Sequence, residues 1–186
     1  MTLINGYDGA TRQRLARRIT DAVRATIQAP LDGITVAINE VAPDGYMRGG
    51  AARAPGAPCP EPKDQVLAFL KAMEDRRLDV AKRYLGDGFT MVFPGVGGGT
   101  AMTSLEALVE WSAHRYRLVK KTIDHAEEAV LGEAVIVYVF GVLHGEWPDG
   151  TPFDGIRFID RFETIDGLIL RQQVWNDLAE ARPTGD

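Results

Sequence analysis

The stretch FDGIRFIDRFETIDGLILRQQVWNDL, residues 153–178, constrains the fold more than any other part of the chain. It reads as two long strands joined at Asp166-Gly167, because both residues tolerate the positive φ of a two-residue hairpin turn. That turn fixes the pairing. Ile165 should oppose Leu168, Phe162 Arg171, Asp160 Gln173, Phe158 Trp175, and Ile156 Asp177. Opposed residues share a sheet face. One face then carries Asp160 among Ile156, Phe158, Phe162 and Trp175. A carboxylate in such surroundings is costly unless its charge is paired or its protonation is put to use.

The preceding strand enters this hairpin through Trp147-Pro148-Asp149-Gly150-Thr151. Pro148 and Gly150 sit where a type I turn followed by a bulge wants them, which puts Tyr138 beside Asp160 and Phe140 beside Phe158. A two-residue turn would flip the strand and put Val139 beside Asp160. The bulged register gives a polar row of Tyr138, Asp160 and Gln173, and an aromatic row of Phe140, Phe158 and Trp175. Asp177 lies at the strand end, and Trp111 looks inward from a helix. Such a face suits a planar or cyclic organic ligand. Asp160 would act as general base toward a C–H beside a carbonyl, with Tyr138 or Gln173 donating to the enolate oxygen. The competing roles are an internal ion pair of Asp160 with Arg171 or another arginine, and core packing for Tyr138 and Trp175.

Upstream, the pattern divides the chain. In residues 1–50, Leu15, Ile19, Val23 and Ile27 recur every four positions on a helix with a basic outer face. That helix stops before Pro30. Ile34, Val36 and Ile38 then alternate as a strand. Residues 51–62 complete a stretch, GGAARAPGAPCPEP, with four prolines, and read as a linker. From Lys63 two helices precede a strand at Phe89–Phe93, and Ser104 or Thr103 caps a third helix. Long antiparallel strands then run to the hairpin. Residues 63–181 are therefore α+β, with helices over one face of a strongly curved sheet, and 182–186 form a tail.

The chain has 186 residues and a net charge of −5, which disfavours nucleic acid or an anionic membrane as partner. Its single cysteine, Cys59, leaves no intramolecular disulfide or cysteine-rich zinc site. The histidines, His114, His125 and His144, lack metal-ligand spacing, so no metal and no cofactor is expected. No apolar run approaches the ~18 residues of a membrane span, and the start lacks a signal-peptide pattern; a cytoplasmic protein is expected.

Two resemblances add to this. The turn Leu3-Ile4-Asn5-Gly6, the helix RQRLARRITDAVRATI, Pro30 and TVAINEVAPDGYMRGG resemble the 4-oxalocrotonate tautomerase family, built from assembled β-α-β units. The resemblance implies an N-terminal proline as base, which Met1-Thr2 does not supply. The segment is expected to be a truncated, inactive unit used for packing or oligomerisation. An upstream start supplying that proline would restore tautomerase activity. Residues 64–181, through DQVLAFLKAMEDRRLDVAKRYLGDGFTMVFPG and GIRFIDRFETIDGLILRQQVWNDLAE, resemble the nuclear transport factor 2-like superfamily in its SnoaL-like polyketide cyclase branch. This implies a cone enclosing one pocket, a pocket aspartate as acid/base (Asp160 fits best) and a homodimer or higher homo-oligomer. The expected function is a cofactor-independent isomerase or cyclase for a cyclic or polyketide-like substrate. The alternative is a non-catalytic module binding a small ligand or a partner domain.

Overall fold

The computed structural model describes residues 1–181; the expected tail, 182–186, lies outside the described residues. The chain divides into two compact units, Met1–Pro58 and Cys59–Asp186.

In the first unit, β1 (Thr2–Ile4) and β2 (Asn39–Val41) pair in parallel, joined through α1 (Gly9–Thr26). The Asp8 side chain caps α1 by accepting from the Thr11 N–H at 2.8 Å. Residues 34–38 alternate in exposure as expected, but the ladder begins only at Asn39. The register sets Thr2 opposite Asn39 as the first ladder pair, and of residues 34–38 the Ala37 carbonyl accepts from the Met1 ammonium at 2.8 Å. A short hairpin follows, β3 (Met47–Arg48) with β4 (Ala51–Ala52).

The second unit opens with α2 (Pro62–Glu74), whose Pro62 sits in the first turn, where its missing N–H costs nothing. Then come α3 (Leu78–Ala81), β5 (Leu85–Phe93), β6 (Thr100–Met102) and α4 (Leu105–Ala113), the last capped by Ser104 accepting from the Ala107 N–H. Three long strands, β7 (Leu118–Leu131), β8 (Ala134–Glu146) and β9 (Pro152–Ile165), lead to β10 (Leu168–Asn176) and the short α5 (Leu178–Ala181). The six strands form one sheet in the order β6-β5-β10-β9-β8-β7, open at both ends, with β10 and β5 parallel. Its inner face packs on α2 and α4. Phe69 of α2 meets Phe162 of β9 edge-on at 5.9 Å between ring centres. This is the α+β, helix-covered curved sheet that the pattern indicated.

Both turns form as the sequence indicates, and a bulge beyond each one changes the register. At Asp166 (φ 50°) and Gly167 (φ 81°), Ile165 opposes Leu168. Leu170 is then extra, so Glu163 opposes Arg171, Phe162 opposes Gln172 and Asp160 opposes Val174. At the other turn, Phe153 opposes Gly145 as the bulged turn requires, but Asp154-Gly155 inserts a residue and Val139 comes to face Asp160. Gly155 has φ +72°, the left-handed conformation that such a bulge favours. One residue of slip turns a whole strand over.

Candidate functional site

Three strands bring three polar side chains together on the inner face: Lys121 of β7, Asp160 of β9 and Gln172 of β10. Asp160 is 0% exposed and its Oδ2 accepts a hydrogen bond from the Lys121 ammonium. Gln172 Nε2 donates to the same oxygen at 3.5 Å. The Lys121 ammonium lies 4.2 Å from the centre of the Phe158 ring, whose face carries negative density. Oδ1 of Asp160 and Oε1 of Gln172 are buried without a hydrogen-bond partner among the described residues. Two acceptors so placed are costly in an apolar core and call for a donor.

Gly141 makes room for this arrangement. A Cβ there would sit 2.0 Å from the Thr122 carbonyl oxygen and 3.0 Å from the Phe158 ring. A side chain at 141 would push apart β7 and β8 where the Lys121 stem starts.

Above the pair lies a cavity of about 280 Å³. Leu67, Leu70 and Met73 of α2, Leu108 and Ser112 of α4, and Phe93, Val119 and Ile123 of the sheet wall it, and Lys121 and Gln172 reach it from the floor. A second space of about 50 Å³ shares Phe93, Tyr116, Val119 and Lys121 and adds Trp111, Phe158 and Asn176. Asp160 lines neither and stands behind Lys121. Tyr116 borders both. Burial pushes its phenol up from the ordinary tyrosine range, Ser112, Arg76 and Arg115 pull the other way, and the Asp160 charge adds to the rise. The phenol therefore stays a hydrogen-bond donor at neutral pH.

The register shifts redistribute the expected site residues. Asp160 and Phe158 face inward and are buried, as expected. Trp111 also stays at the pocket, 5.3 Å from Phe93 and under the Arg115 guanidinium at 4.4 Å. Five others do not join them, four because they lie on the face the bulges turned outward and Asp177 because it is held at the strand end. Gln173 accepts from Arg161 on the outer side, and Trp175 is 51% exposed. Tyr138 opposes Arg161, and Phe140 stacks on His125 at 4.5 Å. Asp177 pairs with Arg157 at 2.8 Å and lines neither space. Arg171, the expected internal partner, is exposed beside Glu163.

Lys121, Gln172 and Tyr116 were missed. A signal existed for the first. In Val119, Lys121 and Ile123 a charge occupies one of three inward positions of a strand, which implies a buried partner. Among the described residues there is no group of three His, Cys, Asp or Glu able to hold a metal ion.

This architecture is the nuclear transport factor 2-like fold. An NTF2-like protein of unknown function from Burkholderia pseudomallei K96243 superposes with a TM-score of 0.53 at 17% identity, covering 64% of this chain and 92% of that one. TerC, co-crystallised with polyporic acid, gives 0.51 at 18% identity over 64% and 95% of the two chains. An NTF2-like protein from Burkholderia xenovorans LB400 gives 0.50 at 18% over 68% and 98%. Residues 2–52 match the family model "Tautomerase enzyme". No curated protein matches the sequence significantly.

Proposed function

We propose that the cone unit is an isomerase- or cyclase-type enzyme for a small ring-bearing carbonyl compound, with Asp160 and Lys121 as its reacting pair. The observation that carries this is the fully buried carboxylate, held by one lysine and with one oxygen unpartnered, beneath an apolar cavity. TerC, of the same fold, was co-crystallised with polyporic acid, which supports reading the cavity as a site for an organic ligand.

Of this pair, Lys121 is the member that lines the cavity and meets the ligand. A carbonyl oxygen on the cavity floor competes with Asp160 for the Lys121 ammonium and draws it away from Oδ2. Asp160 is thereby uncovered and takes a proton from the carbon beside the carbonyl. Charge develops on the oxygen, where the ammonium and the Tyr116 hydroxyl stabilise it. The proton then returns to a different carbon, which is isomerisation. Attack of the enolate carbon on a second carbonyl of the same molecule would instead give cyclisation: the new C–C bond forms as that C=O π bond breaks, and the alkoxide oxygen takes back the proton from Asp160.

The test is hydrogen–deuterium exchange at carbon in 2-tetralone, followed by NMR in D₂O. Exchange above the buffer rate is expected for the native protein, with a return to the buffer rate in Asp160→Asn and Lys121→Met. Binding of the ketone without exchange would instead make the unit a binding module. We also propose that the cone unit is a homodimer, joined through the outer sheet face where Ile159 and Trp175 are exposed side by side.

A further inference from the structure

We propose that Arg76, at the mouth of the cavity, is an anchor for an anionic group, so that the ring compound carries a carboxylate or an equivalent acidic oxygen. This rests on the preceding reading that the cavity takes a ring-bearing ligand.

Arg76 follows the last turn of α2. The Arg76 N–H bonds back to the Met73 carbonyl at 3.1 Å and the Arg77 N–H to the Ala72 carbonyl at 2.9 Å, the closing pattern of a helix that ends in a left-handed residue. Glycine is the usual occupant there, because a Cβ is strained at positive φ. This chain holds an arginine at φ 57°. Strain kept at such a position points to use of the side chain; Arg76 lines the cavity and its charge acts on Tyr116, which lines it too.

The charges around it point the same way. Lys71 is taken by Glu74 at 3.3 Å and Asp75 at 2.8 Å, Arg77 by Asp75 at 3.1 Å, and Lys121 by Asp160. Glu74 is the one acid among the cavity-lining residues described, and both its oxygens are engaged, by Lys71 and by the Lys121 N–H. Arg76 and Lys120 remain, lining cations without an ion pair among the described residues. Lys120 alternates with the inward-facing Val119 and Lys121, which turns its side chain to the other side of β7. Arg76 is close enough to Tyr116 to act on its phenol. A planar guanidinium with no acid of its own, at the rim of an apolar space, matches a carboxylate's two oxygens. The ligand is thus held at both ends, its anionic group by Arg76 and its carbonyl oxygen by Lys121.

The test compares 2-naphthoate with neutral 2-naphthylmethanol by titration calorimetry on the native protein, Arg76→Gly and Arg76→Lys. The native protein should prefer the acid by about tenfold or more. Arg76→Gly should erase that preference, leave the alcohol unchanged, and not lower the Tm, since glycine relieves the strain. Arg76→Lys should keep part of the preference. Equal native affinity for the two probes overturns the proposal. So does an equal loss of both probes in Arg76→Gly with a lowered Tm, which would make Arg76 a structural residue. Failure of both probes to bind overturns it together with the ring-ligand reading. If 2-tetralone exchanges in an Asp160-dependent way while no anion preference exists, the proposed function stands and the anchor falls.

Discussion

At the scale of single residues, the buried pair dominates. Removing one member of a buried ion pair leaves the other uncompensated, which typically costs 3–5 kcal/mol. Lys121 keeps 24% side-chain exposure, so a smaller loss, about 2 kcal/mol, is expected for Lys121→Met in urea unfolding. Adding Asp160→Asn should restore part of it, because the unpaired charge is then gone. If the double variant is as unstable as the sum of the singles, the two residues are not coupled. Tyr116 gives a pH-dependent counterpart. Its phenol is raised in the folded state, so above pH ~10 the unfolded chain loses that proton first. The unfolded state then binds fewer protons, and stability falls as pH rises, having been fully present below that range. Tyr116→Phe should flatten the alkaline part of the stability curve, and an unchanged slope would show that other groups govern it.

At the scale of elements, the sequence was most legible where backbone chemistry is local. Asp166-Gly167 and Pro148-Asp149-Gly150 announce their turns, and both form in the expected register at the turn itself. What it concealed was the residue after each turn at which pairing slips. Leu170 carries no mark of a bulge. Its place is set by β5 on the other side of β10, where Leu170 fills the space over Gly86, whose missing Cβ would lie 2.5 Å from it. Gly155 was the one visible sign, since a lone glycine inside a strand pattern often marks a bulge. Asp160 was therefore recognised as the odd residue of the face while its neighbours from β8 and β10 were taken from the wrong side. Gly141 tests the same logic. Its Cβ would meet a backbone carbonyl at 2.0 Å, so Gly141→Ala must move β7 against β8. A loss of about 2–3 kcal/mol is expected, with the Lys121–Asp160 contact disturbed. A variant of native stability would mean that the strands separate there without strain.

At the scale of the whole molecule, the two units differ in what they bury. The cone unit has a continuous core from Val66 to Leu178. In residues 1–58 no residue is buried: Leu15, Ile19 and Val23 of α1 reach only partial cover against a two-stranded sheet. A segment of that size must offset roughly 1–2 kcal/mol of backbone entropy per residue, and without a buried core it does so only by pairing its apolar faces with another surface. The units should therefore behave differently when made apart. Residues 59–186 should unfold in a single transition whose midpoint changes little between dilute and concentrated samples, apart from the few degrees that dimerisation contributes. In that fragment Trp175→Asp should shift the species seen by sedimentation from dimer to monomer, because the ring would no longer bury against its copy. Residues 1–58 should show little helix by circular dichroism at micromolar concentration and gain it as concentration rises. Full helicity independent of concentration would mean that β1, α1 and β2 hold together by themselves, and the need for a second surface would be lost.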